Sequence, residues 1–290
     1  MLIQGTLMKG YGGFYYVFAE DRVWECSLRG RFRVRNQDFI PGDRVLILPE
    51  TETKATIEKV LERQNVLWRP QVANIDQALL IFARKTPDPD YGLLDRLIIQ
   101  AESVGIDVSM VFTKVDLVEN REDPRVEYYN SIGYGVLNVS NKTKEGIEEV
   151  RELIQGRTSV LAGPSGVGKS SLINSLEPGK KLKTGKVSEK IGRGRHTTRH
   201  VELISVSGAL VVDTPGFSSL ALPAIKSSEL KNYFREFAEY SDLCRYKSCL
   251  HAKEPDCGVK EALNNKRILA SRYQNYLQFL DEVIQRERKY

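Results

Sequence analysis

The run Gly163-Pro164-Ser165-Gly166-Val167-Gly168-Lys169-Ser170 constrains the fold more than any other stretch of these 290 residues. It is a complete G-x-x-x-x-G-K-S. The apolar, β-branched run Thr158–Ala162 precedes it, and helical spacing follows it to Leu176. Strand, glycine-rich turn and helix in that order form a cradle. Its backbone N–H groups turn inward, and the helix N-terminus adds a field that favours anions. In such a cradle Gly163, Pro164, Ser165, Gly166, Val167, Gly168 and Ser171 surround phosphates. Lys169 reaches the β- and γ-phosphates, and the Ser170 hydroxyl ligates Mg²⁺.

The flanking sequence supplies the rest of an α/β domain. Buried-strand runs are read at Ala78–Phe82, Val108–Phe112, Val136–Val139 and Leu210–Val212, and helices at Leu93–Val104 and Ile147–Ile154. Strands alternating with helices predict a mostly parallel sheet covered on both faces. Asp213-Thr214-Pro215-Gly216 follows the last strand. A carboxylate there can bind Mg²⁺, and the Gly216 N–H can sense a γ-phosphate. Thr113-Lys114-Val115-Asp116 follows another strand end and matches the [NT]-K-x-D pattern. The Asp116 carboxylate would accept from guanine N1–H and the 2-amino group, a donor pair that adenine lacks. Ser140-Asn141 follows the strand at Val136 and can supply a backbone contact to guanine O6. The order is unusual. The guanine motif precedes the phosphate loop instead of following Asp213. A circular permutation keeps such a site while moving the chain ends.

Between the phosphate loop and Asp213 lies a basic block. From Lys180 to His200 there are eight Lys or Arg residues, two His and the single acid Glu189, a composition that attracts polyanions. A threonine here can close on Mg²⁺ when a γ-phosphate is present, and Thr197 and Thr198 are both candidates. Phe217 follows the D-T-P-G run where many GTPases carry a water-positioning Gln. His196 can take over that role, or it can contact phosphate or RNA and catalyse nothing.

Two further regions flank this domain. Residues 1–68 read as a small all-β barrel with turns at Gly10–Gly13, Gly30 and Pro41-Gly42-Asp43, a length that suits an oligonucleotide-binding (OB) barrel. Phe14, Tyr15, Tyr16 and Trp24, with Arg29, Arg31, Arg33 and Arg35, offer a stacking surface for RNA. Residues 221–290 read as helical, with helices at Ser228–Tyr240 and Lys260–Arg286. Between them Cys244, Cys249, His251 and Cys257 gather four of the chain's seven Cys and His residues, a closed Cys₃His set for one structural Zn²⁺. No apolar run approaches the roughly 18 residues of a membrane helix, and the start lacks a signal peptide, so a cytoplasmic protein is expected. The fold expected is therefore three-domain: barrel 1–68, permuted P-loop GTPase domain 69–220, zinc-bearing helical domain 221–290.

The permuted order of Thr113–Asp116, Gly163–Ser170 and Asp213–Gly216, the segment Gly194-Arg195-His196-Thr197-Thr198-Arg199 and the Cys₃His cluster together resemble the RsgA family (YjeQ or YloQ). Its members are bacterial circularly permuted GTPases that act in small ribosomal subunit maturation. The resemblance spans nearly the whole chain. It implies GTP and GDP as ligands and the small (30S) subunit with its rRNA as partner. It implies binding in the GTP state, hydrolysis stimulated by the subunit, and release afterwards. His196 then stands in for the missing Gln. The family's guanine motif often begins with Asn where this chain has Thr113; Asp116 carries the base specificity, so that departure is expected to cost little. The protein is expected to be monomeric and away from membranes. Two other readings compete: a nucleotide-gated RNA-binding protein with incidental hydrolysis, and a small-molecule kinase using ATP, against which Asp116 argues.

Overall fold

The structure is a computed structural model that describes residues 1–30, 38–68, 71–120, 122–177, 202–213 and 221–289. Five strands close the N-terminal barrel: β1 (Ile3–Tyr11), β2 (Phe14–Ala19), β3 (Arg22–Leu28), β4 (Arg44–Pro49) and β5 (Lys54–Val60). Their order is β1-β2-β3-β5-β4, and β1 pairs with β4 to complete the ring. β3 and β5 run parallel, while the other pairs are antiparallel. Alternation along each strand sends Leu7, Val17, Trp24, Cys26, Val45, Ile47 and Ile57 inward. Trp24 is thus core, only 2% exposed, and leaves the stacking surface expected of it. Its indole donates to the Ala19 carbonyl at 3.2 Å. Phe14 remains exposed, Tyr15 and Tyr16 are half-buried, and Arg31, Arg33 and Arg35 lie outside the described residues.

A short hairpin, β6 (Val66–Trp68) and β7 (Gln71–Ala73), leads to the central sheet. The barrel loop before β4 lies hard against it. A Cβ on Gly42 would stand 1.9 Å from the Ala73 carbonyl, and Gly42 has φ +90°, so only glycine fits.

The central domain runs β8 (Gln77–Ala83), α1 (Tyr91–Glu102), β9 (Asp107–Thr113), α2 (Pro124–Ser131), β10 (Gly135–Asn138), α3 (Ile147–Ile154), β11 (Thr158–Ala162), α4 (Lys169–Leu176), β12 (Glu202–Val206) and β13 (Ala209–Asp213). The sheet order is β10-β9-β8-β11-β13-β12. All neighbours are parallel except β12, an antiparallel edge that the sequence reading missed. Every residue of β8 and β11 is buried, as helices on both faces require. The barrel meets this edge: Lys9 Nζ pairs with Glu202 Oε1 at 2.5 Å, and Met8 and Leu203 share one apolar cluster.

The C-terminal region holds α5 (Ser227–Leu230), α6 (Arg235–Ser241), α7 (Gly258–Asn264) and α8 (Ala270–Glu287). Two expected helices are each broken. Ser228–Tyr240 is interrupted at Phe234, whose backbone leaves the helical region (φ −114°, ψ 88°) while its ring is buried against Phe237 and Tyr276. Lys260–Arg286 stops after Asn264, where Lys266 turns left-handed (φ +56°) and Arg267 N–H bonds back to the Ala262 carbonyl at 2.9 Å. A buried charge cluster fastens α8 to the central domain. Arg272 donates to Glu236 Oε1 at 2.5 Å and to Asp95 Oδ1 of α1, and Asp95 also accepts from Tyr129 at 2.6 Å and Asn275 at 2.7 Å. Among the described residues no helix is long and apolar enough to cross a membrane.

Candidate functional site

The motifs converge because each follows the C-terminal end of a parallel strand. Thr113 ends β9, Ser140 lies just past β10, Gly163 follows β11 and Asp213 ends β13. That edge of an open parallel sheet is where ligands bind. Gly163, Gly166 and Gly168 all have positive φ (143°, 79° and 98°), which turns the loop around its centre. A Cβ on Gly163 would lie 2.0 Å from the Ile81 carbonyl of β8, so the loop can start there only with glycine.

Lys169 Nζ donates to the carbonyls of Gly163 and Pro164, each at 2.7 Å, across the mouth of the loop. Burial lowers its pKa; a polyanion in the cradle would favour the charged form and offset that penalty. Ser170 and Ser171 open α4 beside it.

The guanine motif is bonded to this loop although it precedes it in the chain. Thr113, fully buried, donates from Oγ1 to the Val167 carbonyl at 2.5 Å. Lys114, left-handed at φ 58°, donates from Nζ to the Gly166 carbonyl at 2.7 Å and to the Thr86 carbonyl. Asp116 Oδ1 accepts from Ser140 Oγ at 2.6 Å, which fixes the carboxylate. Ser140 Oγ accepts in turn from the N–H groups of Lys142 and Thr143, at 3.3 and 3.1 Å. The carbonyls of Val167, Gly166 and Thr86 were not legible as partners, because side-chain donors give no sign of which distant carbonyl they will meet. His196, Thr197, Thr198 and Gly216 lie outside the described residues, as does Phe217.

A second centre lies in the helical domain. The ligand atoms of Cys244, Cys249, His251 and Cys257 all fall within 4.8 Å of one another. Cys244 Sγ is 3.8 Å from Cys257 Sγ, and His251 Nδ1 is 3.5 Å from both. A tetrahedral zinc centre with its usual bond lengths has S–S edges of about 3.8 Å and S–N edges of about 3.5 Å. These three edges fit zinc, while the set as a whole spreads to 4.8 Å, wider than a filled tetrahedron, so the cluster is compatible with a zinc site that draws in on its metal. Burial, aided by the Lys231 charge, pushes His251 down to about 4 and so keeps the imidazole neutral, the form that ligates. Burial pushes the Cys249 thiol up to about 12, a penalty on the thiolate that a dication would remove. The surrounding groups are ordered for this task. His251 Nε2 meets Ser241 Oγ at 3.3 Å, Tyr273 donates to the His251 carbonyl and Tyr276 to the Leu250 carbonyl, each at 2.6 Å. Glu254 caps the turn by accepting from the N–H groups of Leu250, Ala252 and Lys253. Ser241 and Glu254 carry no spacing signal and were missed.

A phosphate loop bonded to a guanine motif that precedes it, set between a closed barrel and a Cys₃His helical region, defines the class: a circularly permuted GTPase. A sequence profile described as RsgA GTPase matches residues 60–223, and one described as RsgA N-terminal domain matches residues 4–57. The small ribosomal subunit biogenesis GTPase RsgA of Moorella thermoacetica is 49% identical over 99% of this chain and 100% of its own. The relative of the same name from Clostridium novyi is 45% identical over 98% of each chain. The crystal structure of YjeQ from Thermotoga maritima superposes with a TM-score of 0.83 at 37% identity, covering 98% of this chain and 99% of that one. That of YloQ, described as a circularly permuted GTPase, gives 0.83 at 35% identity over 99% and 96%. The chain belongs to the RsgA GTPase family. It hydrolyses GTP, and the family's chemistry makes GTP, GDP and Mg²⁺ its ligands.

Proposed function

We propose that this GTPase acts in late maturation of the small (30S) ribosomal subunit, binding it through rRNA in the GTP state and leaving after hydrolysis. The observation that carries the reading is the bonding of Thr113 and Lys114 to the Val167 and Gly166 carbonyls, which makes base recognition and phosphate binding one unit. The names of the relatives supply the subunit. The working parts are a barrel of residues 1–68, a GTPase domain of 69–220 and a zinc domain of 221–290, acting as a cytoplasmic monomer.

Asp116 accepts from guanine and Ser140 holds that carboxylate in place. The loop from Gly163 to Ser171 encloses the phosphates, and Lys169 exchanges its two carbonyl partners for phosphate oxygens. Ser170, Asp213 and either Thr197 or Thr198 would hold Mg²⁺. That ion, when bound, neutralises charge on the β- and γ-oxygens. His196 orients the attacking water, and Gly216 donates its N–H to the γ-phosphate. One Zn²⁺ at Cys244, Cys249, His251 and Cys257 fixes the helical domain.

Turnover measured with and without small subunits, for the wild type and His196→Ala, tests this. Subunits should accelerate the wild type, and His196→Ala should lose about 100-fold of the stimulated rate with GTP affinity unchanged. If small subunits neither accelerate hydrolysis nor bind more tightly with a non-hydrolysable GTP analogue, this reading fails; if they bind more tightly with the analogue while turnover stays negligible, the protein is a nucleotide-gated RNA binder with incidental hydrolysis. Phe217, which cannot orient water, speaks for that second reading.

A further inference from the structure

Among the described residues, the side-chain amide of Asn141 is a polar group at the nucleotide site left without a task above. It follows Ser140, whose hydroxyl is bonded to the guanine-reading carboxylate of Asp116 at 2.6 Å. On its other side is the phosphate loop. A Cβ placed on Gly168 would stand 3.4 Å from Asn141 Nδ2 and 3.8 Å from Thr113 Oγ1, so the two side chains converge over that glycine. Asn141 Oδ1 is buried with no hydrogen-bond partner. A buried amide oxygen without a partner is destabilising unless a ligand or water satisfies the group. Which end of an amide is oxygen is itself assigned from its neighbours, so the amide is free to turn either way when a partner arrives.

The chemistry of guanine says which partner. Its polar edge runs 2-amino, N1–H, O6, N7. Asp116 takes the first two, both donors. The next two are acceptors and need a donor on the phosphate-loop side of Asp116, which is the side where Asn141 lies. Here Thr113 spends its only hydroxyl proton on the Val167 carbonyl and offers no amide. Asn141 brings one to the same spot from the neighbouring loop.

We infer that the Asn141 side-chain amide is a specificity-determining contact that donates from Nδ2 to the O6/N7 edge of guanine. This rests on Asp116 reading the other half of the base, which a parallel arm checks independently.

The test is calorimetric affinity for GDP, 6-thio-GDP (a weak acceptor in place of O6) and 7-deaza-GDP (no acceptor at N7). The proteins are wild type, Asn141→Ala and Asn141→Asp, the last keeping size but removing the donor. Both variants should bind GDP about tenfold more weakly, and with one of the two analogues the difference from wild type should shrink below about twofold. An equal loss with all three nucleotides makes Asn141 a brace for the phosphate loop and overturns the inference. So does an unchanged affinity for GDP. If Asn141→Ala fails to fold, Asn141→Asp alone decides by the same pattern. In the parallel arm, Asp116→Asn should move preference from guanine to xanthine nucleotides; if it does not, the underlying base reading fails, whatever Asn141 does.

Discussion

Thr113 shows how a one-atom feature joins two halves of a site. Its hydroxyl is fully buried and satisfies the Val167 carbonyl. Thr113→Val keeps the shape and leaves that carbonyl unpaired, a cost of about 1–3 kcal/mol. We expect a roughly tenfold or greater loss of GTP affinity, with Thr113→Ser near wild type; equal losses in both would mean that the methyl group, not the hydroxyl, matters. Much at this scale was legible. Lys169, Ser170 and Asp116 were named because phosphate and guanine chemistry demand those groups at those spacings. What was not legible is the acceptor of each bond. The expectation that Thr in place of Asn costs little concerned only the base, and nothing in the string T-K-V-D says that its first side chain would hold the phosphate loop.

Strands were easier to read than helix ends. β8, β9 and β11 are short apolar runs with one solution, and each formed where expected. Helical periodicity, by contrast, continues across a break when the residues on both sides face one core. The halves of Lys260–Arg286 both pack on the cluster containing Val259, Ala262, Tyr273 and Tyr276, so the pattern does not show the left-handed Lys266 between them. Asn264-Asn265 was the available signal. The zinc turn between α6 and α7 holds no helix or strand of its own, and a metal is expected to order it. Purified protein should carry one zinc per chain by elemental analysis. Strong chelation, or Cys257→Ala, should remove it, change the near-UV signal of Tyr273 and Tyr276, and leave GTP affinity within about twofold, since the nucleotide site uses none of these residues. Full-length protein that is folded yet metal-free would contradict the zinc assignment.

Across the whole molecule the junction between α1 and α8 rests on an uneven charge count. Arg272 faces two carboxylates, Asp95 and Glu236, and both it and Asp95 are only 1% exposed. Tyr128, Tyr129, Tyr134 and Asn275 line the same space. Burial pushes both carboxyls up, but Asp95 is held by donors from Arg272, Tyr129 and Asn275, while Glu236 Oε2 has no partner. Glu236 is therefore the less well compensated of the two carboxyls. Its stability contribution is complete below the ordinary carboxylate range and fades as pH rises through its raised value. Glu236→Gln, a neutral isostere, should change stability by less than about 1 kcal/mol, whereas Asp95→Asn should cost about 3–5 kcal/mol by leaving Arg272 uncompensated. Equal costs in denaturant titrations would refute that assignment. The order of strands in the central sheet has a consequence on the ribosome that makes the chain. Synthesis runs from the N-terminus, so β8, β9 and β10 emerge before β11, which pairs with β8 on one side and β13 on the other. The nascent chain thus carries a finished barrel and a half-sheet that already holds the base-reading loop, with β8, apolar from Ala78 to Ala83, as its open edge. Only when the phosphate-loop strand leaves the exit tunnel is that edge covered, so the protein is most prone to pair with a wrong strand in the interval between those two strands.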